Sequence, residues 1–534
     1  MSDISERTQI ANTPNKPKQA GILKNALKMA FGTMTSRALG LVRESLLAAL
    51  FDKQITDAWA AAFRIPNMFR RLLGEGSLSV SFIPIFVEAN HDNRERAQNL
   101  INSLYTLLLM ILSVITVLGI LRSDALLHLV LDPEYINNTQ KYLITKQMAQ
   151  IMFGFVFFIS SFAFFMGILN ALGEFFWPAL APTFWNLAMV ISTLWPKSWL
   201  SETAQNNGTQ LAWGVLIGGF LQAAVLIPAL RRCGYFPKLS FDLRNKDTLK
   251  VFRNMGPGLI GLGLLQFTTI VNLRFASSLK EGTISYINYV DRLIELPLSL
   301  ISVSLGTALL PVLSKYWVQD KKSEMAEQTR HYLELNLFVS IAAACGLFVL
   351  AEPIMDLLFG RGRFTADDVH TASLILKTYC WIMVFSSGVR VLTPAYYAIK
   401  NTWFPAMLAG GCLVIHILLA PVLMAKWGVQ GLMISTTASA AVDLTMLLIF
   451  YKVLIFDFPY LKFLLSLVKY ATVGVIVFLI SQLYFVLNGY IVSFLALAIT
   501  IAFVLVGFFV IGVRLFPNEF GRISQKVMGR FARK

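Results

Sequence analysis

Apolar residues run along this chain in stretches of about 20 or more, the length an α-helix needs to cross the hydrocarbon core of a bilayer. About fourteen such stretches are read, at 25–50, 59–88, 100–121, 147–171, 178–196, 211–230, 254–279, 286–313, 331–351, 371–399, 403–424, 431–451, 464–487 and 490–513. The first two are the weakest, because each carries several Arg. Residues 1–20 are polar, and no short apolar segment with a small-residue cleavage site follows, so no cleaved signal peptide is expected.

Composition excludes the soluble alternatives. The 534 residues are 56% hydrophobic and 14% charged, whereas a soluble domain is about 25% charged. The 41 Phe rule out disorder, and four Cys are too few for a disulfide scaffold. What remains is an all-α polytopic membrane protein. The net charge of +16 is largely topological. With a cytoplasmic N-terminus most Lys and Arg fall on inner segments, above all in the connection near 231–253 and in the tail after Arg514. An even span count puts both termini in the cytoplasm, and nucleic acid is not needed to explain the basicity.

The chain also resembles itself at an offset of about 227 residues. Phe63-Arg64-Ile65 matches Asp291-Arg292-Leu293, Ile83-Pro84-Ile85 matches Leu310-Pro311-Val312, and Trp177-Pro178-Ala179-Leu180 matches Phe404-Pro405-Ala406-Met407. Two parallel six-helix lobes follow, a transporter arrangement with the substrate held between halves. The expected organisation is a polar tail (1–20), a lobe of spans one to six (21–232), a connection (233–250), a lobe of spans seven to twelve (251–455), an added helix pair (456–515) and a basic tail (516–534).

Some charges fall where lipid would penalise them. Arg37, Arg43, Arg64, Arg70, Arg71, Arg274, Arg292, Lys377, Arg390 and Lys469 lie in the expected spans. Each costs roughly 2.5–3.5 kcal/mol at a helix centre on the insertion scale. Arg70, Arg71 and Lys469 can be explained by snorkelling and Arg292 by an ion pair with Asp291. For Arg37, Arg43, Arg64 and Arg292 together the better reading is one water-filled cavity. Glu44, Asp57 and Glu75 accompany the first group, and Glu295 shares a helix face with Asp291. An Arg-rich cavity asks for an anion, and the planar guanidinium suits phosphate.

No constellation for catalysis is present, so no enzyme is expected. His91, His128, His331, His370 and His416 are dispersed, and no Cys-x-x-Cys occurs. Asp367-Asp368 reads as a solvated helix start after Thr365. Gly360-Arg361-Gly362-Arg363 is no phosphate loop, since no strand precedes it.

At these residues the sequence resembles the MurJ (MviN) family of lipid II flippases, within the multidrug/oligosaccharidyl-lipid/polysaccharide exporter superfamily. The strings are Ser36-Arg37-Ala38-Leu39-Gly40-Leu41-Val42-Arg43-Glu44, Phe63-Arg64-Ile65-Pro66-Asn67 and Arg70-Arg71-Leu72-Leu73-Gly74-Glu75-Gly76. Tyr289-Val290-Asp291-Arg292-Leu293-Ile294-Glu295-Leu296-Pro297, Phe359-Gly360-Arg361-Gly362-Arg363-Phe364 and Val389-Arg390-Val391-Leu392-Thr393-Pro394 continue it. The resemblance implies two lobes around a central cavity, with the added pair forming a groove for an undecaprenyl tail. It implies translocation of lipid-linked peptidoglycan precursor across a bacterial inner membrane by alternating access. Arg37, Arg43, Arg70 and Arg292 would hold the diphosphate with Arg64 beside them. Asp57 would belong to a gate, and Glu44, Glu75, Asp291 and Glu295 would be the transport-linked acids. Lipid II, membrane lipids and proteins of cell-wall synthesis or division are the implied partners. No cofactor is expected. Residues 254–279 contain no Asp or Glu, which argues against the sodium coupling of some members. Arg274 is an extra cation with no role in the pattern. The rival functions are flipping of another polyprenyl-diphosphate-linked glycan and export of cations or drugs on the same fold.

Overall fold

A computed structural model describes residues 19–72, 78–196, 199, 207–242, 245–298, 304–517 and 520. The first half builds α1 (Gln19–Leu50), α2 (Lys53–Leu72), α3 (Leu78–Asp92), α4 (Arg94–Leu121), α5 (Ser123–Val130), α6 (Pro133–Asn137), α7 (Thr139–Ala171), α8 (Phe176–Thr193), α9 (Thr209–Ala224) and α10 (Ile227–Cys233). The second half builds α11 (Lys246–Ser277), α12 (Thr283–Leu298), α13 (Ser304–Val318), α14 (Lys322–Val349), α15 (Ala351–Phe359), α16 (Ala366–Tyr379), α17 (Ile382–Ala398), α18 (Trp403–Trp427) and α19 (Val429–Leu454). Last come α20 (Tyr460–Ser481), α21 (Leu483–Leu487) and α22 (Ser493–Leu515).

Helix ends carry the repeat more plainly than the residues do. α1 and α11 are 227 apart at both ends, as are α7 and the α16–α17 pair, while α4 and α14 are 228 apart at both ends. The turns that follow α7 and α17 both use the left-handed region, at Gly173 (φ 81°) and Lys400 (φ 63°). Only the backbone course is shared there, so glycine is present in one copy and lysine in the other.

Among the described residues, nine helical segments are long and apolar enough to cross a membrane, against about fourteen spans read from the sequence. The shortfall falls on helices such as α1, α2, α8, α11 and α12. α12 has only 16 residues, and the arginines of α1 and α2 lower an apolar score. The expected span 59–88 is carried by α2 and α3, and 286–313 by α12 and α13. Short helices α5, α6 and α15 lie in stretches read as loops, being too brief to register as apolar runs.

α7 is the central helix of the first half, packed against α2, α3, α4 and α9. The α16–α17 pair is its counterpart, packed against α12, α13, α14 and α19. One element breaks the repeat. α1 lies along α8, but α11 divides its packing between α18 and the first-half helices α2 and α3.

The connection leading into α11 is a strap laid on α4. Gln98 Nε2 donates to Phe236 O (3.0 Å), Lys238 N donates to Asn102 Oδ1 (2.8 Å), and Ser240 N donates to Thr106 Oγ1 (2.9 Å). α4 side chains one and two turns apart thus satisfy backbone groups that a free loop would leave to water. Arg96 then holds Asp247 in the first turn of α11 through two bonds of 2.8 Å.

Candidate functional site

A cavity of about 580 Å³ lies between the halves, lined mainly by α1, α2, α7, α8 and α12. On α2 the lining residues are Phe63, Asn67, Arg70 and Arg71, which fall on one helical face. α1 contributes Arg37, Gly40 and Arg43, α12 contributes Arg292 and Glu295, and α17 contributes Arg390. Among the described residues, six arginines therefore face one carboxylate, Glu295, across the lining.

Arg43 forms the floor. Its Nη1 donates to Asn186 Oδ1 (2.8 Å), its Nη2 to Glu44, and its guanidinium lies 4.5 Å from the Trp185 ring. Glu44 also meets Arg292 Nε at 3.4 Å. Glu44 is thus a buried anion shared by two cations, holding both in place and neutralising one. Exposure rises away from the floor: the Arg43 side chain is 3% exposed, Arg292 33% and Glu295 46%. Glu295 accepts from Arg71 at 3.2 Å. Arg37 and Arg390 have no hydrogen bond or ion pair among the described residues, so their charges are open to a ligand.

The structure brings Arg37, Arg43, Arg70 and Arg292 to this cavity. Arg64 faces elsewhere. It lines a separate small void with Arg71, Gln266 and Thr269, because one position round from Phe63 is about 100° away on a helix. Asp291 likewise lies on the Arg64 side as its electrostatic neighbour. Glu44 lies beneath the floor, 1% exposed, and Glu75 lies outside the described residues. Sequence reading gave no role to Asn186 or Trp185. A lone Asn in an apolar span was the available signal for the first, and nothing marked the second. Arg390 was counted among span cations without an assignment.

Asp57 sits at the opposite, closed end, where it joins the halves. Its Oδ2 accepts from Lys141 Nζ (2.8 Å) and Gly282 N (2.7 Å), and its Oδ1 from Ser285 N (2.9 Å) and Ser285 Oγ (2.8 Å). Thr365 caps α16 in a reciprocal pair with Asp368, but Asp368 is not solvated. It is 2% exposed and takes Lys53 Nζ (2.6 Å) and Tyr286 Oη (2.5 Å) from neighbouring helices. The helix-start pattern gave the cap correctly and could not show what would cover it.

His416 is buried between α18, α11 and α19. Its Nε2 lies 2.9 Å from Asn272 Oδ1 and its Nδ1 2.9 Å from Ser435 Oγ. Arg274, without a role in the sequence, donates from Nη1 to Leu129 O (3.3 Å) and Leu131 O (3.1 Å) at the end of α5.

Known proteins resemble this chain along most of its length. Residues 46–509 match the family described as "Lipid II flippase MurJ". A Bdellovibrio bacteriovorus protein named "Probable lipid II flippase MurJ" is 46% identical over 520 residues, 96% of this chain and 98% of that one. "Lipid II flippase MurJ" of Burkholderia cenocepacia is 33% identical over 417 residues, 77% of this chain and 80% of that one. The solved structure "Lipid II flippase MurJ, inward closed conformation" superposes with a TM-score of 0.74 at 24% identity, covering 92% of this chain and 99% of that one. An inward-facing multidrug resistance MATE family transporter gives 0.65 at 14% identity, covering 84% and 98%. The two superpositions establish a shared fold, and the family match takes in the lining residues of α2, α7, α8 and α12 but begins after those of α1. On those matches, the chain belongs to the lipid II flippase MurJ family.

Proposed function

We propose that this multi-span membrane transporter carries lipid II, an undecaprenyl-diphosphate-linked peptidoglycan precursor, from the cytoplasmic to the periplasmic leaflet. The observation that carries this reading is the lining of six arginines against one carboxylate. A diphosphate esterified at both ends is a compact dianion that forked guanidinium groups hold by paired hydrogen bonds. A cation exporter needs the opposite lining. The excess of Lys and Arg on one set of loops supports a cytoplasmic position for both termini. On that orientation the cavity opens inward at Glu295 and Arg390, and the Asp57 end is the outer seal.

The headgroup enters between α1 and α12, which meet through Glu44 and Arg292. It is held by Arg37, Arg43, Arg70 and Arg292, while the lipid tail stays outside along α20 and α22. Those two helices stand on the flank of α14 and α15 with mostly apolar exposed faces. Rocking of the halves then exchanges the open end. No chemical step is required, and no residue is assigned a catalytic role.

The test is complementation of a flippase-depleted bacterium, with lipid-linked precursor measured in each leaflet. The intact chain should restore growth and move lipid II outward. Accumulation of a different polyprenyl-diphosphate glycan in the inner leaflet would reassign the cargo. Arg292→Ala removes one charge-assisted contact of about 1.5–3 kcal/mol, so flipping should fall roughly 10- to 100-fold. Full rescue by that variant would overturn the cavity's role.

A further inference from the structure

Two features of the sequence have no part in binding: the Gly360–Phe364 turn and the span cation Arg274. Both lie at the closed end, and both reach across the halves. α1 ends at Leu50, so the Ala49 carbonyl is among the acceptors a helix leaves unmade at its C-terminus. Arg363 N, on the turn after α15, donates to Ala49 O at 2.9 Å. In return Ser45 Oγ of α1 donates to Leu358 O, in the last turn of α15, at 2.5 Å. The turn approaches this closely because residue 362 is glycine. Its φ is 63°, and a Cβ there would meet Ala49 O at 2.2 Å. The Arg363 side chain also pairs with Asp52.

The repeat-related elements make the same kind of contact with different residues. α5 corresponds to α15 and α11 to α1. Arg274 of α11 donates to the carbonyls of Leu129 and Leu131 at the end of α5, and Asp132 N donates to Ser277 Oγ at 2.9 Å. In each case a helix C-terminus of one half is capped from the other half. Such bonds exchange for bonds to water when the halves part, which makes release nearly balanced.

We propose that these two reciprocal clasps are the outer latches of the transport cycle, and that their making and breaking sets the balance between inward-open and outward-open states. This rests on the alternating-access reading above. The latches are tested in a background lacking Cys233, Cys345, Cys380 and Cys412, with Leu41→Cys in the cavity lining as reporter for a membrane-impermeant maleimide added from outside. Gly362→Ala should raise outside labelling about tenfold, because the clash with Ala49 O is made only while the halves meet. Arg363→Ala keeps the amide donor and should raise it less. In a second arm, Asp52→Cys with Arg363→Cys is joined by a reducible bifunctional thiol reagent. Flipping should stop on bridging and return on reduction. Unchanged labelling in Gly362→Ala at normal abundance, or undiminished flipping in the bridged protein, would overturn the proposal. If labelling responds as expected but no lipid II moves, the latches stand and the cargo assignment falls.

Discussion

Arg43→Ala loses lipid II flipping by about 100-fold or more while the protein inserts at normal abundance, since at least two charge-assisted hydrogen bonds of about 1.5–3 kcal/mol vanish together. The guanidinium is held before any ligand arrives, between Asn186 Oδ1 at 2.8 Å and Glu44, with Trp185 against its face. A headgroup therefore meets an ordered cation and spends little of its binding energy on arranging it. Abundance survives because Glu44 keeps Arg292 as a counter-charge at 3.4 Å. Arg43→Lys should recover part of the activity, because an ammonium keeps the charge but cannot serve Asn186 and Glu44 as one planar fork. Flipping per protein, normalised to the amount in the membrane, separates these outcomes. Equal activity in Arg43→Ala and the unaltered chain would remove the cavity floor from the mechanism.

Much of this site was legible in the sequence because charge in an apolar stretch is expensive and so points inward. That argument located Arg37, Arg43 and Arg292; it also put Arg64 in the same cavity, where the structure does not, and Arg70 came from the family resemblance. It could not say which inward surface each side chain meets. Phe63 and Arg64 are consecutive, yet the first lines the large cavity and the second a small void against α11. Deciding between them needs the position of a helix about 200 residues away. Lys141 was missed for a related reason. It precedes the expected span 147–171, and its partner Asp57 is 84 residues distant. The repeat was read from three short matches, whereas the ends of α1, α4 and α7 recur almost residue for residue in the second half. Backbone course tolerates substitution that side-chain comparison does not. α11 shows the limit of the repeat, because its ties to α4 and α5 through Asp247 and Arg274 involve residues without counterparts in α1.

The two ends of the cavity also differ in the kind of interaction that closes them. At the inward end, Arg71–Glu295 and Arg292–Glu295 lie at 3.2 and 3.5 Å with the carboxylate 46% exposed. Pairs of that exposure contribute little and are screened by salt. At the outer end the Asp57 and Asp368 carboxylates are buried, and donors reach them from α2, α7 and α12. An arriving anion can therefore displace Glu295 from its arginines without disturbing the seal behind Arg43.

Asp57→Ala should abolish flipping and also lower the amount of folded protein, which distinguishes it from Arg43→Ala. Asp57 and Lys141 are 1% and 6% exposed, and removing one member of a buried pair costs about 3–5 kcal/mol by stranding the other. Asp57→Asn offers little relief. Both carboxylate oxygens accept, one from Lys141 Nζ and Gly282 N, the other from Ser285 N and Ser285 Oγ. An amide in either orientation therefore turns an N–H₂ group toward donors. The informative variant is Asp57→Asn with Lys141→Met, which removes the stranded charge and fills its space with an apolar chain. Abundance and Tm in detergent should recover toward the unaltered protein, because no uncompensated ion remains. Flipping should stay low, since the tie from α2 to Gly282 and Ser285 is what holds the outer end shut while the headgroup loads. Normal flipping in Asp57→Asn would show that the seal does not depend on this carboxylate. Recovery of both abundance and flipping in the double variant would reduce Asp57 to a partner for Lys141.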